Sequence, residues 1–222
     1  FIQAVVVNSG NANACTGARG MRDAEMMCQE VGARLGIDPG LVIPSSTGII
    51  GVAMPMENIS SGIEKAAAAL SDDSFLHAAE AILTTDRFVK ISSATCSLKG
   101  KKVVLAGMVK GAGMIAPRMA TMLAYILSDA AIEPRALRVI LRQSAEESFN
   151  SVTVDGDMST NDTVLFLANG FAGNSPVRRG SQEEKIFTKT CQKVMKDLAV
   201  KLVEDGEGAT KVVEVLVEGA RS

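Results

Sequence analysis

Ala120-Thr121 places a hydroxyl directly after a small residue and just ahead of an apolar run, Met122 to Leu127. A chain that cuts itself would want a nucleophile at such a point. If the 120–121 bond breaks, Thr121 becomes an N-terminus and its hydroxyl gains an α-amine as a built-in base, one way of activating a weak nucleophile without histidine. The chain has a single histidine, His77, set among leucine and alanine in a helical stretch with no serine placed to meet it. A structural role for His77 is the better reading, and a Ser-His-Asp triad is a poor candidate. One Ala-Thr pair is commonplace, so the case rests on what surrounds it.

Pro44 to Gly51 reads as a small-residue loop after a strand, where Thr47 offers a hydroxyl and Gly48 an unhindered amide. These are the two donor types an oxyanion hole employs, although the same loop could hold a phosphate or simply turn the chain. Lys110-Gly-Ala-Gly113 lacks the ending of a phosphate loop and is weak evidence for one. Val154 to Thr163 alternates acidic and polar groups as a calcium loop does. Thr160 and Phe166, however, stand where that loop needs glycine and glutamate. Asp155 and Asp157 are therefore expected to hold loop amides or shape a polar cleft. Gly206 and Gly208 flank Glu207 in a tight turn, which either ends a helix or presents a carboxylate to a cation. Asn8 to Gly17, rich in small and Asx residues, reads as a loop after the first strand.

The elements that must position these residues read as a mixture. Strand-like runs rich in β-branched residues fall at 3–7, 41–43, 102–109, 122–128, 163–168 and 211–217. Helical patterns fall at 21–36, 57–70, 73–83, 134–149 and 182–204, with Pro134 suited to a first turn. Runs 102–109 and 122–128 follow one another with no helix between them. That favours a layered α/β domain with mixed or antiparallel pairing over a doubly wound parallel sheet.

With 222 residues, 47% of them hydrophobic, the chain can bury one core, and 1–222 reads as a single unit. A net charge of −2 with interspersed signs leaves no basic face for nucleic acid or an anionic membrane. Four scattered cysteines suggest neither a zinc site nor a disulfide framework, and reduced thiols in a cytosol-like compartment are expected. The chain opens without Met straight into a strand and stops after another, so both ends are expected to be cuts through a larger protein.

Six stretches taken together resemble the ornithine acetyltransferase family, the bifunctional glutamate N-acetyltransferases of arginine biosynthesis. They are NSGNANACTG (8–17), STGIIG (46–51), TTD (84–86), KGAGMIAP.MATMLA (110–124), VDGDMSTNDT (154–163) and DGEGATK (205–211), in the family's order and spanning most of the chain. The resemblance implies an αββα-type sandwich, shared with related self-cleaving aminopeptidases. It implies autoproteolysis between Ala120 and Thr121 into an α part (1–120) and a β part (121–222), associated as a heterotetramer or larger. Thr121 is then the nucleophile, Thr47 and Gly48 match the oxyanion pair, and Thr84, Lys110, Thr121 and Glu207 match substrate-contacting positions. Acetyl would pass from N-acetylornithine to Thr121 and on to glutamate, with no metal or organic cofactor; acetyl-CoA as a second donor is left open. The setting implied is the cytoplasm, or the mitochondrial matrix in a eukaryote.

Two departures stand out. Arg118 occupies a place where the family usually has a small polar residue, and a C-terminal segment that supplies substrate-binding residues is missing. The competing readings are a self-cleaving N-terminal-nucleophile aminopeptidase and a non-cleaving amino-acid-binding domain.

Overall fold

The computed structural model describes residues 1–116 and 122–219. Arg118, Ala120 and Thr121 lie outside the described residues. The chain runs β1 (Ala4–Asn11), α1 (Gly17–Leu35), β2 (Val42–Ile49), α2 (Met56–Ala68), α3 (Phe75–Ala81), β3 (Lys90–Leu98), β4 (Lys101–Lys110), β5 (Leu123–Ser128), α4 (Pro134–Glu146), β6 (Thr163–Ala168) and α5 (Gln182–Glu204). β1 and β2 pair in parallel, and β3-β4-β5-β6 form a mixed sheet, antiparallel except for the parallel β5–β6 pair.

Strand alternation sorts the side chains into layers. On β4 and β5, Val103, Leu105, Val109, Ala124 and Ile126 face one way, into a core with Phe187, Val194 and Leu198 of α5 and Ile140 of α4. Their neighbours Met108, Leu123 and Tyr125 face the other way and meet Val5 and Val7 of β1. The opposite face of β1 turns Ala4 and Val6 towards Met27 and Val31 of α1 and Ile63 of α2. The order is helices, two-stranded sheet, four-stranded sheet, helices, as the αββα expectation has it. Each large apolar side chain sealed between these layers contributes about 1.5–3 kcal/mol over its exposed state.

α5 shows how the sequence builds one layer. Ser181 caps it by accepting the Glu184 N–H at 3.1 Å. Phe187, Cys191, Val194, Leu198 and Leu202, three or four apart, are all buried on one face. Gly107 of β4 lets that face come close, because a Cβ there would lie 2.8 Å from Leu198 Cδ1.

Four sequence readings need correction. β2 continues through Ser46, Thr47 and Gly48, and β1 through Asn8 to Asn11, where loops were expected; parallel pairing of Ser9 with Thr47 and Gly10 with Gly48 extends both strands. β3 carries no expectation at all, since its Ser, Thr and Cys content dilutes the strand signal. Residues 211–217, expected as a strand, have no regular structure, and Val213 and Val215 are more than three-quarters exposed. β-branched composition states a preference, but a strand needs a partner edge, and none pairs with this run among the described residues. Helix 134–149 ends earlier, at Glu146, before a 3₁₀ turn at Phe149–Ser151.

Candidate active site

Thr47 and Lys110 sit near the ends of β2 and β4, on the facing surfaces of the two sheets, both almost completely buried. The Lys110 ammonium donates to Thr47 Oγ1 at 3.2 Å and to Thr84 Oγ1 at 2.7 Å, and lies 3.7 Å from Asp86 Oδ2. Gly48, beside Thr47, is exposed, so the cluster opens at this edge of the β1–β2 sheet.

Below Lys110 is a second, wholly buried ammonium. Lys90 Nζ bonds Asp86 Oδ1 at 2.7 Å and pairs with Asp205 Oδ2, with all three side chains fully buried. Asp86 also accepts the N–H groups of Gly111 (2.6 Å) and Thr84 (3.1 Å). Burial by itself would raise the Asp86 carboxyl, but the Lys90 bond and these two amides outweigh it and hold the group below the usual carboxylate range. Burial lowers the Lys110 ammonium from its ordinary value, with Asp86 pulling the other way. Asp205 closes the far side by accepting the Arg87 backbone N–H at 3.0 Å and its Nε at 2.9 Å.

Glu207 follows on the turn after α5. Its N–H donates to Ala112 O at 2.7 Å, and Thr85 Oγ1 donates to its Oε1 at 2.7 Å. Gly113 is where the backbone must approach that carboxylate, since a Cβ there would stand 3.1 Å from it. Thr84 and Glu207 are exposed, whereas Lys110 beneath them is not. The arrangement is a polar site with two hydroxyls and a carboxylate at its mouth and an ammonium at its floor.

The described residues on both sides of 117–121 are tied to this site. Asp155 accepts the N–H groups of Met114 (2.6 Å) and Ile115 (2.9 Å), holding Met114 in the left-handed region at φ 54°. Asp162 Oδ1 accepts the Met122 N–H at 3.0 Å, and burial pushes its carboxyl up to about 7. Asn161 Nδ2 donates to Ala12 O and to Ser46 O (3.1 Å), clamping the peptide just before Thr47.

A family model described as the ArgJ family matches residues 1–222. The chain belongs to the ArgJ family. It is 52% identical over 219 residues to the arginine biosynthesis bifunctional protein ArgJ of Symbiobacterium thermophilum, covering 99% of this chain and 54% of that protein. Two solved structures are similar. The ArgJ of Bacillus halodurans shares 39% identity at a TM-score of 0.47, over 54% of this chain and 61% of that one. The ornithine acetyltransferase of Mycobacterium tuberculosis, complexed with ornithine, shares 30% at a TM-score of 0.44, over 54% and 62%. The chain spans about half the length of the curated ArgJ relatives it matches.

Of the site residues expected in this ArgJ chain, Thr47, Thr84 and Lys110 converge on one ammonium, Gly48 borders them, and Glu207 stands on the adjoining turn. Ala120 and Thr121 lie outside the described residues. Asp155 holds loop amides as expected. His77 is exposed on α3. Sequence reasoning missed Thr85, Asp86, Lys90, Asn161, Asp162 and Asp205. Thr85, Asp86, Asn161, Asp162 and Asp205 lay inside the six motifs, whereas Lys90, one lysine in a polar strand, carried no signal.

Proposed function

We propose that this chain is the part of a glutamate N-acetyltransferase that moves an acetyl group from N-acetylornithine to glutamate, after cleavage between Ala120 and Thr121. In the precursor, the Thr121 hydroxyl attacks the Ala120 carbonyl, and collapse of the adduct breaks the peptide C–N bond and frees the α-amine of Thr121. Water then hydrolyses the resulting ester to release the Ala120 carboxylate and regenerate the hydroxyl. That amine, with an ordinary value of about 7.7–8.0, serves as base near neutral pH. Thr121 then takes the acetyl group, ornithine departs, and glutamate removes the acetyl in a second half-reaction. Thr47 and Gly48 hold the oxyanion in each step. Thr84, Lys110 and Glu207 receive the amino-acid ends of the substrates, with the Glu207 carboxylate suited to an ammonium.

One observation carries this reading: Thr47, Thr84 and Lys110 meet at a single ammonium while the described residues flanking 117–121 are tethered beside them. The antiparallel β4–β5 pairing supports continued association of the α and β parts after a cut. The test is N-terminal sequencing of active protein together with an assay for acetylglutamate from N-acetylornithine and glutamate. A polypeptide beginning Thr-Met-Leu-Ala is expected, and Thr121→Ala should abolish both scission and transfer. Normal turnover in Thr121→Ala would overturn the mechanism. Acetyl-CoA as sole donor in the same assay decides whether it is a co-substrate.

A further inference from the structure

Lys110 is oddly placed for a group whose task is only to greet a substrate carboxylate. Its side chain is 2% exposed. Its Nζ already donates to Thr47 Oγ1 (3.2 Å) and Thr84 Oγ1 (2.7 Å), with Asp86 Oδ2 at 3.7 Å facing its remaining side. An ammonium has three N–H donors and no acceptor. Two are committed to hydroxyls and the third faces a carboxylate.

The bond to Thr47 has a consequence for that hydroxyl. An oxygen that accepts from an ammonium has its lone pair drawn towards the lysine, which restricts the hydroxyl rotor and makes its own O–H a stronger donor. Among the described residues Thr47 Oγ1 accepts from Lys110 and makes no donation of its own. Asp86 fixes the arrangement from below, because it holds the Gly111 N–H directly after Lys110 and the Thr84 N–H at once.

We propose that Lys110 is a positioning residue for the oxyanion hole, acting through Thr47 so that the threonine proton is aimed at the oxyanion of both the cleavage step and acetyl transfer. This rests on the function proposed above and deepens it. Self-cleavage separates the two roles of Lys110, because that step involves no amino-acid substrate. A lysine that serves only a substrate carboxylate is irrelevant to it.

The experiment follows the first-order rate of scission at 120–121 by intact mass, without substrate, in wild type, Lys110→Met, Thr47→Ala and the double variant. Lys110→Met should slow scission about 10- to 100-fold, below the full loss of an oxyanion donor. In the Thr47→Ala background the same change should cost less than about threefold, since the hydroxyl it acts on is gone. Lys110→Gln keeps a donor without the charge and should fall between wild type and Lys110→Met. It also carries the cycle should the methionine variant fail to fold. Wild-type scission rates in Lys110→Met, or losses that multiply in the double variant, would overturn the proposal. Absence of scission and transfer in wild type would instead defeat the function on which it rests.

Discussion

Gly48 is the position where a single methyl group has the most calculable effect. Its φ is 130°, and a Cβ built on it would lie 2.2 Å from the Gly10 carbonyl carbon, 2.3 Å from its oxygen and 2.7 Å from Asn11 N. All three are backbone atoms of β1, so no rotamer change relieves the contact. Restoring an ordinary separation of about 3.5 Å moves β1 away from β2 by more than about 1 Å. In Gly48→Ala the unfavourable φ costs about 1–3 kcal/mol and the overpacking about 1–3 kcal/mol. Together these destabilise the protein by about 2–6 kcal/mol.

Gly51→Ala supplies the control, since its φ is 80° but nothing lies within 4 Å of the added carbon. Urea midpoints measured under one condition should place Gly48→Ala below Gly51→Ala by the overpacking contribution, about 1–3 kcal/mol. Displacing Thr47 by about 1 Å should also reduce acetyl transfer by about 100-fold in Gly48→Ala. If Gly48→Ala proves as stable as Gly51→Ala, the account of how β1 and β2 approach is wrong.

Two further outcomes test the buried charges. Lys90→Met leaves Asp86 and Asp205 without their shared ammonium and should lower stability by about 3–5 kcal/mol at neutral pH. Because the Asp86 carboxyl is held low, its contribution is present above the ordinary carboxylate value and lost as pH falls through the lowered one. The urea-midpoint deficit of Lys90→Met should therefore shrink on acidification, and a deficit constant with pH would contradict this. Asp162 behaves in the opposite sense. Its carboxyl is pushed up to about 7, so the advantage of the protonated native form is present below the unfolded value of about 4 and lost as pH rises through the raised one. Asp162→Asn should match wild type in Tm at about pH 4 and exceed it at about pH 8; equal Tm values at the higher pH would refute it.

Elements with a clean period were legible in the sequence. The bounds of α5 and β6 coincide with the expected 182–204 and 163–168, because every third or fourth residue of one is apolar and the other is a short, nearly continuous apolar run. Two strand-like runs with no helix between pointed to mixed or antiparallel pairing, and β4 and β5 pair antiparallel. β3 was not legible, since hydroxyl and thiol side chains occupy its alternating positions. Within the site, Thr47, Lys110 and Glu207 stood out through their motifs, but the bonds from Lys110 to Thr47 and Thr84 and from Thr85 to Glu207 did not. Lys110 meets Thr47 across 63 residues, and Lys90 meets Asp205 across 115. Contacts of that separation leave no trace in local spacing. Lys90 illustrates the limit: nothing in Lys-Ile-Ser-Ser distinguishes a buried ammonium from a solvated one.

The β4–β5 ladder pairs Lys110 with Leu123 and Leu105 with Ser128, so its two strands lie on opposite sides of residues 120 and 121. The interior is likewise shared, with Leu98, Val103 and Leu105 from before that bond packed on Ile126, Phe187 and Leu198 from after it. A polypeptide severed there keeps its shape as long as it stays folded. Melting it changes the molecularity of recovery, because two separate coils must collide before either can regain its interior. Regain of the native form would then weaken on dilution, whereas an uncut molecule recovers at a yield independent of concentration.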